Sequence, residues 1–405
     1  MKVLQKFSLI LTVAAVSILV GCRDRDDRTE LDKINDWIYD RMDLYYFWTN
    51  ELPNKPGTNV DPNIFFESLL SDKDRFSFIY DDYQELVNLL NGVSLESGFE
   101  FKLYLEDDNS SNVIMQLTYI KANSPASDLG LKRGDIIYKI NEQQLTTDNY
   151  QSLLSETNEN YKASFRRYNF ELEAFEDQGV LSISPIVYAE NPFLIDTVYE
   201  IEGKKIGYLV YTFFSPGSNG KYDNQMDQVF SKFQGEGIQD FILDLRFNTG
   251  GSETSVKNLA SLMVQNATSD DLVFRKSYND VVEESIINDD DFGPEFLNVR
   301  FTDKEENIGS QLTTGTVYVL TSNRSASASE VTINSLKPYM DVFIVGDTTV
   351  GKDVGSITIN DENNEANNWA IQPIVVKLVN NDGEDYPEGF RPDVLIEDKF
   401  LILRP

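Results

Sequence analysis

Ser325-Ala326-Ser327-Ala328-Ser329-Glu330 lies between the strand-like run Thr316–Thr321 and an apolar helical stretch carrying Val331, Ile333 and Leu336. A row of small residues also suits an ordinary helix N-cap or turn, so its position has to decide the reading. A serine between the C-terminal end of a strand and the N-terminus of a helix sits in the crevice where open α/β sheets bind ligands. The N–H groups that follow it point at any anion formed beside it. Outward from this box, from about Lys205, strand-like and helix-like segments alternate. The strands are expected at 206–213, 241–245, 316–321 and 342–345, and the helices near 225–233, near 256–263 and after Ala328. That pattern reads as an α/β domain with mainly parallel pairing.

A serine hydroxyl needs a base, and the chain has no histidine and one cysteine. A Ser-His-Asp triad, a Cys-His nucleophile, a His-ligated zinc and a cysteine zinc cluster are therefore excluded. The general bases left are a carboxylate or a lysine held neutral by burial. Lys352 follows the apolar run 342–345 and a turn over 346–351. It suits the task only if desolvation or a nearby positive charge lowers its pKa from about 10.4; otherwise it is a surface lysine after a turn. A third element, Asp244-Leu245-Arg246-Phe247-Asn248-Thr249-Gly250-Gly251, ends the strand 241–245. Its two glycines let the backbone approach a bound group and offer open N–H donors, although an ordinary strand-ending turn looks alike.

Before this domain the character differs. Residues 31–95 form a helical region, with Ile34, Trp37, Ile38, Met42, Tyr45 and Tyr46 at helical spacing and further helices expected over 64–70 and 83–90. The aromatics Tyr45, Tyr46, Phe47 and Trp48 are read as packing against the next domain, with a ligand platform as the other use. Residues 96–175 are rich in short strands, including Phe99–Leu105 and Val113–Ile120. Within them, Ser124-Pro125-Ala126-Ser127-Asp128-Leu129-Gly130-Leu131-Lys132-Arg133-Gly134-Asp135-Ile136 resembles the most recognisable stretch of a PDZ domain. That resemblance implies a carboxylate-binding loop at Ser97, Gly98, Phe99, Glu100 and Phe101, where an added peptide strand would dock. The region 269–310, with acidic Asp289, Asp290 and Asp291, reads as an insertion, a cap or loop within the core domain at 176–405; the spaced pattern of an EF-hand is absent.

Taken together, the three core motifs resemble the C-terminal processing, or tail-specific, peptidases: serine proteases with a Ser-Lys dyad, a PDZ module and a core related to the crotonase fold. The family's DLRxNxGG is matched by residues 244–251, its serine box by 325–330 and its VGxxTxGK by 345–352. Gly389, Phe390, Arg391, Pro392 and Asp393 resemble its late GxxPD. The resemblance implies that Ser327 is the nucleophile, 25 residues before the lysine base Lys352. It further implies that Ala328 with Gly250 or Gly251 supplies the oxyanion donors and that Glu330 supports the site. One departure is Ser356, where many members carry a glutamine four residues after the lysine; either its hydroxyl takes over part of that task or the site is weaker.

At the other end, 1–21 carries Lys2, Lys6 and an apolar run over 7–20, the regions of a secretory signal. Leu19-Val20-Gly21-Cys22 resembles the lipobox at which bacterial lipoproteins are cleaved and acylated, so Cys22 is the expected lipid attachment and 22–30 a solvated tether. The net charge of −32 repels phosphate backbones, so nucleic acid is not an expected partner. The expectation is a serine endopeptidase with polypeptide substrates and no metal or organic cofactor, lipid-anchored in a bacterial cell envelope on an outer-membrane, periplasmic or surface face. The alternative is a peptidase-like binding lipoprotein that keeps the fold and has lost catalysis.

Overall fold

The computed structural model describes residues 28–396. The expected signal at 1–21, Cys22 and most of the tether lie outside the described residues. The first helix, Glu30–Tyr45, starts on a capping box: Asp32 N–H donates to the Thr29 hydroxyl at 3.1 Å, and Thr29 N–H donates to the Asp32 carboxylate at 2.9 Å. Its buried stripe of Trp37, Ile38 and Met42 packs with Tyr46, Phe65, Phe66 and Leu69 into a small core of its own. Tyr46 is fully buried, so at least this aromatic of the 45–48 cluster serves packing. The chain then joins the core domain by main-chain bonds. Phe47 N–H donates to the Ile374 carbonyl at 2.8 Å, and Phe78–Tyr80 pairs antiparallel with Ala370–Gln372.

The PDZ-like part is an antiparallel sheet ordered Phe99–Leu105, Val113–Ile120, Ile136–Ile140, Tyr161–Asn169 and Ala174–Ile183, with Gln143–Gln144 paired to the third. Asn141 and Glu142 take positive φ between Ile136–Ile140 and Gln143–Gln144, a tight hairpin turn. The boundary expected at 175 falls inside a hairpin, because Ala174–Ile183 still pairs with Tyr161–Asn169. After it, Ile186–Ala189 pairs with Val93–Glu96, closing the module's entry and exit together.

The core domain is built on a six-stranded sheet ordered Phe193–Ile201, Lys204–Tyr211, Asp240–Asp244, Thr316–Thr321, Asp341–Gly346 and Val394–Leu395. The first pair is antiparallel and every later pair parallel. Helices Lys221–Glu236, Glu253–Met263 and Ala328–Leu336 contribute the apolar faces that fill the main core.

The reading of 269–310 as an inserted cap needs correction. Leu272–Tyr278 is an inner strand of a second sheet, ordered Asn298–Arg300, Leu272–Tyr278, Ile374–Val379 and Val354–Ser356. Val273, Phe274, Phe301 and Ile308 are fully buried in the main core. The acidic run is a local turn, with the Asp289 carboxylate accepting the N–H groups of Asp291 and Phe292. Its charge masked the short apolar strand before it.

Candidate active site

Three neighbouring parallel strands deliver the three motifs. Asp240–Asp244, Thr316–Thr321 and Asp341–Gly346 lie in register, Asp244 beside Leu320 and Thr321 beside Gly346. Their C-terminal ends therefore open side by side into the Gly-Gly loop, the serine box and the lysine turn, the edge at which α/β sheets carry their sites.

The structure treats the three serines of the box differently. Ser325 is fully buried and its hydroxyl donates to the Leu245 carbonyl at 2.8 Å. Ser329 is equally buried and donates to the Asn248 carbonyl at 3.0 Å. Both hydroxyls thus tie the box to the Gly-Gly loop. Ser327 is the one of the three that is only half-buried. It has φ 54° and ψ −117°, a conformation rarely adopted by a residue with a side chain, at the N-cap of Ala328–Leu336. Such a backbone costs on the order of 1–3 kcal/mol and persists only where its surroundings over-determine it.

Glu330 is one of those surroundings. Fully buried, it accepts four bonds: at Oε1 from the Thr349 hydroxyl and Gly351 N–H, 2.6 Å each, and at Oε2 from Ser327 N–H at 3.0 Å and Lys352 N–H at 2.8 Å. Thr349 itself accepts from Phe390 N–H at 2.7 Å, so its own proton must go to Glu330. Burial pushes the Glu330 pKa up, against these bonds, but every partner is a donor, which fits an ionised carboxylate. One oxygen therefore holds the backbones of Ser327 and Lys352 together. Burial likewise pushes the Lys352 amine below its usual value, opposed by Asp74 and Glu330. Among the described residues this amine makes no hydrogen bond or ion pair; it stands 5.3 Å over the Phe76 ring.

Gly250 and Gly251 have φ of +115° and +134°. A Cβ on Gly250 would lie 2.7 Å from Ser327 Cβ and 3.1 Å from Ala328 N, so the loop is pressed against the serine. A Cβ on Gly251 would fall 2.0 Å from the Phe214 carbonyl oxygen. The Gly250 N–H is spent on the Asn248 side-chain oxygen at 2.9 Å. Gly251 forms a parallel bridge with Phe214 in which Phe214 bonds the Gly250 carbonyl and the Ser252 N–H, leaving the Gly251 N–H turned away from that bridge. Of the two glycines, Gly251 is the one with a donor to spare. Asn248 is the organiser: its side-chain amide donates to the Tyr211 carbonyl at 2.9 Å, and its main-chain carbonyl receives the Ser329 hydroxyl and the Ala326 N–H.

Ser356 ends the strand Val354–Ser356, and its hydroxyl accepts from the Gln372 amide at 3.1 Å. An amide side chain thus reaches this position from a different strand. No local signal marks Gln372, nor Asp74, Arg75 and Phe76, which approach Lys352 from far away in the chain. In the PDZ-like part, Phe99–Leu105 is an edge strand, the position strand addition uses, and its Phe101 carbonyl accepts from Arg324 Nη1 at 3.5 Å. Ser97 bonds Tyr161, and Gly98 lies against Ser124. Glu100 is met by Lys121 at 3.3 Å and Arg324 at 3.7 Å, so its charge is balanced within the protein. Tyr119 packs on Phe247 of the Gly-Gly loop at 4.9 Å, joining the module to the site.

Comparison with known proteins agrees with this layout. Residues 205–396 match the profile of Peptidase family S41, 33–78 the Peptidase S41 N-terminal domain and 116–162 a PDZ domain. The chain belongs to peptidase family S41. The carboxy-terminal processing protease CtpA of Bacillus subtilis is 26% identical over 276 residues, 68% of this chain and 51% of its own length. A carboxyl-terminal-processing protease of a Picosynechococcus species is 26% identical over 164 residues, 40% of this chain and 33% of its own length. This S41 chain therefore spans about half the length of the first relative and a third of the second. A crystal structure described as an S41 protease from Bacteroides fragilis superposes with a TM-score of 0.72 at 25% identity, over 89% of this chain and 90% of that one. The photosystem II D1 C-terminal processing protease shares the fold, with a TM-score of 0.51 at 17% identity over 91% and 93% of the two chains.

Proposed function

We propose that this S41 chain is a serine endopeptidase working through a Ser327–Lys352 dyad on polypeptides outside the cytoplasm, tethered by a lipid on Cys22 to a bacterial envelope membrane. The observation that carries the reading is the division of labour in the serine box: two hydroxyls are buried and spent on carbonyls, and the third belongs to a half-buried residue with a strained backbone, coupled through Glu330 to a desolvated lysine. In the first step the neutral Lys352 amine takes the Ser327 hydroxyl proton as Oγ bonds to the peptide carbonyl carbon. The oxyanion so formed accepts from the N–H groups of Ala328 and Gly251. Collapse breaks the C–N bond, and the lysine proton passes to the leaving amine. Water then attacks the acyl-enzyme with the same base and restores both side chains. The PDZ-like module, through its edge strand, captures substrate or gates the site.

Residues 23–405 are expected to cleave casein or a C-terminally tagged peptide. A folded wild type that cuts neither would favour the peptidase-like binding lipoprotein instead. For the anchor, the expected result is radiolabelled palmitate on Cys22 and none on Cys22→Ser; equal labelling would refute it.

The oxyanion assignment makes its own prediction. Gly250→Ala is expected to lower kcat by about 10²-fold or more, because its Cβ intrudes between Ser327 and the Ala328 N–H. Steady-state kinetics on the folded variant checks this, and unchanged kcat would move the donors elsewhere.

A further inference from the structure

Lys352 is approached by residues that do not belong to the domain carrying the serine. In the turn ahead of Phe78–Tyr80, Asp74 accepts the N–H groups of Phe76 and Ser77 at Oδ1, 2.9 Å each, and the Tyr46 hydroxyl at Oδ2, also 2.9 Å. Arg75 donates to the carbonyls of Gly351 at 2.7 Å and Pro387 at 3.2 Å. Ser77 receives Ile374 N–H at 2.8 Å. The turn is thus fixed at both ends, by the N-terminal helical core through Tyr46 and by the core domain through Gly351 and Ile374. Between these anchors the Phe76 ring lies under the Lys352 amine.

We propose that Phe76 is a positioning residue for the base, and that the N-terminal helical region contributes it to the site: the ring keeps water from the Lys352 amine and fixes where that amine points. The inference rests on the dyad reading above. An aromatic face attracts a cation, but its bulk also removes water from the amine, and loss of water disfavours charge. Burial is the leading influence on Lys352. The charged groups bearing on the amine are Asp74 from the turn and Glu330 from the helix Ala328–Leu336, and both favour its protonated form. The Arg75 guanidinium is held on the two carbonyls. Opening the ring side to water and removing the Asp74 charge should therefore act in opposite directions.

The test is the pH dependence of kcat/KM for peptide cleavage across the neutral and alkaline range. Rate rises with pH as the lysine loses its proton. Phe76→Ala is expected to move this limb up by about one pH unit, a loss of about tenfold at a fixed pH on the limb, while Phe76→Leu, apolar but ringless, leaves it near the wild-type position or lower. Asp74→Asn is expected to move it down. Phe76 is itself only half-buried, and Phe76→Gln reads the same upward shift should the alanine variant not fold. A wild-type limb that stays in place in the Phe76 and Asp74 variants, with rate lost equally at every pH, would reduce the turn to a structural strut and overturn the proposal. A wild type without hydrolysis at any pH would instead remove the dyad reading, and the proposal with it.

Discussion

Ser327→Ala is expected to abolish turnover, by roughly 10⁴- to 10⁶-fold, and Lys352→Met to do the same, because nucleophile and base act as one unit and losing either forfeits nearly all their joint effect. The two variants should differ in stability. Ser327→Ala keeps the backbone bond to Glu330 and should unfold close to wild type. Lys352→Met should be more stable at neutral pH. The folded pKa of Lys352 lies below its unfolded value, so below both values the unfolded chain is favoured by the better-solvated ammonium; stability then rises with pH through the window between them. Replacing the amine by an apolar group of similar length removes that penalty, a gain present at neutral pH that vanishes above the unfolded pKa of about 10.4. Denaturant midpoints at neutral and at alkaline pH check the sign.

Glu330→Ala should have the largest effect on the fold. It strands four donors, the buried Gly351 N–H and Thr349 hydroxyl and the part-buried Ser327 N–H and Lys352 N–H. At about 1–3 kcal/mol for each buried group left unsatisfied, the loss is at least about 2 kcal/mol and reaches a substantial part of a domain's net stability. Glu330→Gln keeps the shape but sets an amide NH₂ against two donors. It should fold with a lower urea midpoint and lose about 10²-fold in kcat with KM little changed, since the carboxylate positions the dyad without touching substrate. A Glu330→Gln enzyme with wild-type kcat would show that the carboxylate is only a helix first-turn acid.

The sequence carried the parts of this site that are local. The strand Thr316–Thr321 and the helix Tyr83–Leu90 lie where periodicity places them, and each motif sits at a strand end. Neither Phe76 nor Gln372 was legible, because what makes each matter is a neighbour brought by the fold from another segment. Residues 269–310 misled for a different reason. Their charged turns dominate the composition, while the strand Leu272–Tyr278 has only a few apolar residues and gains its place by pairing with Ile374–Val379, about a hundred residues later. The choice among Ser325, Ser327 and Ser329 rested on spacing alone. Burial and hydrogen bonding now separate them, since two of the three hydroxyls are occupied.

The most direct test of the dyad is to treat residues 23–405 with a fluorophosphonate and locate the adduct by peptide mapping, alongside Lys352→Met. The account predicts a single adduct on Ser327 in the wild type and none in the lysine variant. An adduct on Ser325 or Ser329, or a folded wild type that takes up no phosphonate, would contradict it.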